Sequence, residues 1–213
     1  MKRSTARFQR GLTFPSIALC LALAMLSPAV AAVGTGGTDT VRSFYDALLQ
    51  TMRNGPSLGP SGRYAQIAPV VRRVFDIPFM TRLAVGPEWT EVSEAQRQAV
   101  SQAFERYVAA IYAERFTSYS GEKLQVTGER PSAGGTVITS QIVKSNGQPV
   151  NINYLVRDNG GVWQIADVYL DGTISELATR RAEFAAILRA QGITGLIATL
   201  NAKADLLTAA HAS

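Results

Sequence analysis

The chain has 213 residues, with 21 Lys+Arg against 16 Asp+Glu, one cysteine and one histidine. Four of the basic residues (Lys2, Arg3, Arg7, Arg10) and none of the acidic ones precede residue 32, so the remainder carries 17 against 16, or +1. A nucleic-acid role built on excess positive charge loses its basis, and Cys20 as the sole cysteine leaves one chain nothing to bridge.

The N-terminus has three parts. A basic segment runs to Arg10, an apolar run follows from about Leu12 to Leu26, and Ala29-Val30-Ala31 closes it. This order is that of a secretory signal peptide cleaved after an A-x-A site. The apolar run falls short of the ~20 residues a membrane span needs. Residues 1–31 are therefore expected to be removed, leaving one domain over 32–213. The chain is therefore expected to be exported.

Residues 32–38 read as a short leader. Val41, Phe44, Tyr45, Leu48, Leu49 and Met52 then recur on one face of a helix. The Gly/Pro-rich stretch from Asn54 to Gly62 reads as a loop between helices. Tyr64, Ile67, Val71, Val74 and Phe75 resume the pattern, with Pro69 expected to bend or restart it. Pro78 can open a short helix through Met80 and Leu83. Ser93 and Gln96 form a capping box ahead of a long helix over 93–119.

At Gly121 the apolar period changes from 3.6 to 2. Leu124 and Val126, then Val137 to Val143, mark two strands, and Asn146-Gly147 is a hairpin signal. Val150, Ile152, Tyr154 and Val156 share a face of a third strand. After Asn159-Gly160-Gly161, Trp163, Ile165, Asp167 and Tyr169 are read as sharing a face of a fourth. Asp171-Gly172 ends this four-stranded antiparallel meander. Thr173 and Glu176 suggest a second capping box, Gly192 closes the helix that follows, and Leu196, Ile197, Leu200, Ala204 and Leu207 make the last. Helices, strands and helices in succession predict an α+β fold with helices packed on one face of a curved sheet.

Catalytic residues are sparse. His211 lies third from the end, and no nucleophile elbow, phosphate loop or zinc motif is present. No metal site, cofactor or catalytic residue is assigned on this basis. Asp167 is the one acid in an apolar strand pattern, and two readings stand. Beside Tyr154 and Tyr169 it could act as the general base of a pocket enzyme. Alternatively it accepts hydrogen bonds from a helix N-terminus or pairs with Arg157, Arg180 or Arg181, with Arg181 falling on the apolar stripe of its helix. The aromatic and β-branched residues likewise fit either a filled core or a core left open as a lipid-sized cavity. Periodicity does not separate the two.

Several segments carry a resemblance. They are Phe75-Asp-Ile-Pro-Phe-Met-Thr-Arg-Leu-Ala-Val-Gly86 with Trp89, the helix around Gln96-Arg97, Phe104 and Tyr112, then Gly161-Val-Trp-Gln-Ile-Ala-Asp-Val168, Asp171-Gly-Thr-Ile-Ser175 and Arg181-Ala-Glu-Phe184. In order and spacing the chain resembles the MlaC family of periplasmic lipid-binding proteins, from about Thr40 to Leu207. Gly55 to Tyr64 and Val168 to Phe184 look more like its hopanoid-associated branch, HpnM. Gly172-Thr-Ile-Ser175 departs from the Gly-Val-Ser-Leu more usual in phospholipid carriers, which bears on the identity of the lipid. The resemblance implies an NTF2-like or cystatin-like α+β fold, no enzymatic activity, and a pocket for phospholipid or hopanoid tails. It further implies exchange of that lipid with an inner-membrane MCE-domain ABC transporter complex and an outer-membrane lipoprotein/porin complex. With the periodicity, it directs attention to Leu83, Tyr107, Val108, Ile111, Tyr112, Ile152, Tyr154, Trp163 and Ile165 as pocket residues.

Overall fold

A computed structural model of the chain describes residues 36–209. The expected signal peptide with its cleavage site, and His211, lie outside the described residues. The elements in order are α1 (Gly37–Val74), α2 (Ile77–Val85), a 3-10 turn (Gly86–Thr90), α3 (Glu94–Arg115), strands β1 (Lys123–Ser132), β2 (Gly135–Val143), β3 (Pro149–Asp158), β4 (Trp163–Leu170) and β5 (Ile174–Ser175), and α4 (Glu176–Thr208). The strands form one antiparallel meander in the order β1-β2-β3-β4-β5.

The Gly/Pro-rich stretch is not a loop. Helical structure continues through it and breaks at one residue, Gly59, with φ 63° and ψ 179°. Pro60 opens the second segment, where a missing N–H costs little. Pro69 does not restart that segment. Its fixed φ suits a helix, and Ile67, Val71 and Val74 around it are wholly buried. In the first segment Val41, Phe44, Tyr45, Leu48 and Met52 are buried as the stripe requires.

The Ser93–Gln96 capping box opens α3, with both reciprocal bonds formed. The helix ends at Arg115, four residues short of the expected 119. Arg63, buried in α1, caps this end: its Nε donates to the Ala113 carbonyl at 2.8 Å, one of the last carbonyls left without a helical partner. Tyr119 is left beyond the helix and exposed.

The sheet has five strands rather than four. Asp171 (φ 49°) and Gly172 (φ 78°) turn the chain tightly enough for Ile174 and Ser175 to pair back onto Leu170 and Tyr169. The N-cap of α4 is accordingly Ser175, whose Oγ accepts from Ala178 N, and not Thr173. Gly192 (φ 64°, ψ −171°) breaks α4 into the two expected helices.

A bulge in β4 changes which residues face the helices. Leu155 pairs with Asp167 and Val156 with Ile165, which leaves Ala166 as the extra residue. Trp163 and Ile165 thus share the helix-covered face with Val168 and Leu170, while Asp167 and Tyr169 point to the other side. The single face read from alternation through Trp163, Ile165, Asp167 and Tyr169 is corrected by that one insertion.

Candidate functional site: an apolar cavity between sheet and helices

The helices cover the sheet unevenly. At one end the N-terminus of α1 lies on the strands. A Cβ at Gly37 would stand 3.3 Å from Ile138 and Val156 and 3.4 Å from Trp163. Phe44 packs edge-on against Phe75, Tyr112 and Tyr154, with ring centroids 5.2, 4.9 and 6.3 Å away. The Tyr45 hydroxyl meets Ser140 Oγ at 2.6 Å, and Ser140 in turn bonds the Ile152 carbonyl.

Beyond this aromatic floor the packing stops, and a cavity of about 150 Å³ remains. Its helical wall is Phe75, Met80, Phe104, Val108, Ile111, Tyr112 and Phe116. Its sheet wall is Ile142, Ile152, Tyr154, Val168 and Leu170. Leu177 of α4 completes the apolar lining, and three charged residues join it: Arg115, Glu176 and Arg180. Ile174, register partner of Leu170, is exposed.

Of the pocket residues expected from sequence, Val108, Ile111, Tyr112, Ile152 and Tyr154 lie together on this cavity. Four do not. Leu83 points outward from α2, and Trp163 closes the packed end against Gly37. Ile165 is wholly buried beside Phe75 in the core. Tyr107 turns toward α4, where Arg180 and Lys203 lie over its ring at 5.6 Å. Val168 and Leu170 were hidden by the β4 bulge, and Phe75 by its place between two helices. Phe104 and Phe116 sat on the readable stripe of α3, and their size was the available signal.

Burial raises the pKa of Tyr112, and of Tyr154 well above its ordinary value, so both remain neutral hydroxyls. Asp167 does not reach the cavity. Its Oδ1 accepts from Val168 N at 2.7 Å and Leu177 N at 3.1 Å, and its Oδ2 from Ser175 Oγ at 2.6 Å. The side chain ties β4 to the start of α4, as the hydrogen-bonding alternative expected. Burial raises its proton affinity, and the same hydrogen bonds oppose that rise. The arginine partners proposed from sequence sit elsewhere. Arg157 pairs with Asp76 at 3.5 Å, Arg180 binds Glu176 and Glu183, and Arg181 is exposed against Gly86. The general-base geometry therefore does not form around Asp167.

Among the described residues, no helix is long and apolar enough to cross a membrane, and no cluster of potential metal ligands occurs. A family model described as MlaC protein matches residues 42–202. A protein of Haemophilus influenzae named intermembrane phospholipid transport system binding protein MlaC is 26% identical over 126 residues. That match covers 57% of this chain and 58% of the relative. A solved structure of a phospholipid-binding protein from Ralstonia solanacearum, in complex with a phospholipid, superposes with a TM-score of 0.68 at 23% identity. It covers 81% of this chain and 99% of that one, and it shows the shared fold.

Proposed function

The chain belongs to the MlaC protein family, and from that premise we propose that it is a lipid carrier which shields acyl tails in the cavity between sheet and helices and leaves the polar head at the mouth. The observation that carries this reading is the distribution of polarity. The cavity walls are aromatic and aliphatic, and the charged lining residues are confined to Arg115, Glu176 and Arg180. A lipid crossing an aqueous gap must cover its tails, at ~0.8 kcal/mol per methylene. The protein would work in the periplasm after cleavage near Ala31. It would receive and deliver lipid through an inner-membrane MCE-domain ABC transporter complex and an outer-membrane lipoprotein/porin complex. The names of the relatives favour phospholipid as cargo; a hopanoid is the alternative suggested by the HpnM-like segments.

The cavity is smaller than such a cargo. A cavity of ~150 Å³ takes a benzene-sized guest, and drug-sized ligands occupy ~300–1,000 Å³. Loading must therefore part the walls, and the half-buried Ile111, Tyr112, Phe116, Ile142 and Leu170 are the apolar lining residues with room to give. Native mass spectrometry of gently purified protein tests the reading. About one lipid per chain is expected. Protein that emerges empty, and takes up nothing from phospholipid vesicles, overturns it.

A further inference from the structure

We infer that the cavity mouth reads the lipid head, taking a phosphate on Arg115 and a primary amine on Glu176, and so prefers a zwitterionic aminophospholipid to an anionic phospholipid or an uncharged polycyclic lipid. The inference rests on the carrier reading above and specifies its cargo.

The charged residues of the lining differ in how far they are already paired. Arg180 is spent: its Nη2 binds Glu176 Oε2 at 3.0 Å, and its Nη1 binds both Glu183 oxygens at 3.0 and 2.9 Å. One guanidinium serves two carboxylates here, and the Lys203 ammonium lies over the same Tyr107 ring as Arg180. This pairing leaves Glu176 Oε1 without a hydrogen bond among the described residues, although a carboxylate can accept about four. Arg115 is the opposite case. It stands exposed in the last turn of α3 and makes no hydrogen bond or ion pair with the described residues. A solvated arginine at a helix C-terminus is common, since it also suits the helix dipole. What distinguishes Arg115 is that its side chain forms part of the cavity wall. A guanidinium with its fork of donors free is suited to phosphate oxygens.

The lining therefore offers a free guanidinium on the α3 side and a free carboxylate oxygen on the α4 side. Both charges lie close enough to act on the Tyr112 hydroxyl, where burial has the larger effect. A phosphoethanolamine head carries the complementary charges and satisfies both ends. A phosphoglycerol head satisfies Arg115 and brings its negative charge toward the Glu176 cluster. An uncharged polycyclic lipid leaves both ends without a partner.

The full chain is to be loaded from vesicles holding equal parts phosphatidylethanolamine, phosphatidylglycerol and diplopterol, and the bound lipid counted by native mass spectrometry. Phosphatidylethanolamine should exceed phosphatidylglycerol by about two- to five-fold, the range of a solvent-exposed charge pair. Arg115→Gln should lower the load of both phospholipids by a similar factor. Glu176→Gln should erase the preference between them. Soluble glycerophosphoethanolamine should not load, and if it does the ligand is water-soluble and the carrier reading falls. Equal loading by the wild type, preferential uptake of diplopterol, an Arg115→Gln protein that melts like the wild type and keeps its phospholipid load, or a Glu176→Gln protein that melts like it and keeps its preference for phosphatidylethanolamine would each overturn the inference and leave the carrier reading standing. Failure to load from any vesicle would overturn the carrier reading itself.

Discussion

At one end of the helix-covered sheet face, Phe44, Tyr45 and Tyr154 interlock under α1. At the other, Ile142, Ile152 and Leu170 face a cavity. Both ends draw on aliphatic and aromatic residues at alternate strand positions. The difference lies in the helices. The first segment of α1 places its buried stripe directly on the strands, whereas α4 leans mainly on α3 and approaches the sheet chiefly near β4. An amphipathic pattern thus shows which face is apolar. Whether a neighbouring element fills the space over that face depends on where the element is anchored. For α4 the anchors are the turn at Asp171-Gly172 and the bonds from Asp167 to Ser175 and Leu177, and these hold its start at the sheet edge.

Truncation should separate the two ends most sharply. Phe44 is wholly buried with aromatic neighbours on several sides, so Phe44→Ala should cost about 3–5 kcal/mol. Leu170 is half-buried and already borders empty space, so Leu170→Ala should cost about 1 kcal/mol. Urea unfolding of the two variants checks this, and equal losses would erase the distinction between a filled and an open end.

Insertion probes the same contrast from the other side. In a filled core, Ile111→Trp would cost about 1–3 kcal/mol by overpacking. At the cavity wall the added ring has room, so stability should change by less than about 1 kcal/mol while retained lipid falls several-fold. Melting curves and lipid counts on one preparation decide it. A destabilised variant with an unchanged lipid load would place Ile111 in solid core.

Much of this architecture was readable because local patterns were consistent with tertiary packing. The α1 stripe, the Ser93 capping box, the Asn146-Gly147 hairpin and the break at Gly192 all depend on residues near one another in sequence. The errors arose where a distant partner or a single inserted residue decided the outcome. Arg63 caps the end of α3 from another helix. Ala166 shifts the register of β4, which put Asp167 on the wrong face and removed Val168 and Leu170 from the expected pocket. Alternation has no means of registering a bulge, since one extra residue reverses every later side chain. The charged mouth was missed for a related reason. Arg115 belongs to the end of α3 and Glu176 to the start of α4, and only the packing of those helices makes them neighbours of one cavity.

The smallest expected effect concerns Asp167, which lies outside the cavity lining and acts through the start of α4. Asp167→Asn keeps an oxygen for Val168 N and Leu177 N. It loses the acceptor for the Ser175 hydroxyl and removes a buried negative charge. These terms oppose one another, so at pH 7 the change should stay within about 1 kcal/mol. The pH dependence is more telling. Burial raises the folded-state pKa of Asp167 above its ordinary value, so in the intervening window the folded protein holds more protons than the unfolded chain. Stability from this group is then greatest below the unfolded value, ~3.9, and falls as pH rises through the raised folded value. Asparagine does not titrate, and other acids act alike in both proteins. The stability difference, wild type minus variant, should therefore shrink as pH rises from about 3.5 to 7, with lipid load unchanged throughout. Urea midpoints across that range give the sign. A wild-type advantage that grew with pH would mean that the Ser175, Leu177 and Val168 bonds outweigh burial, and that the charge itself holds α4 to the sheet.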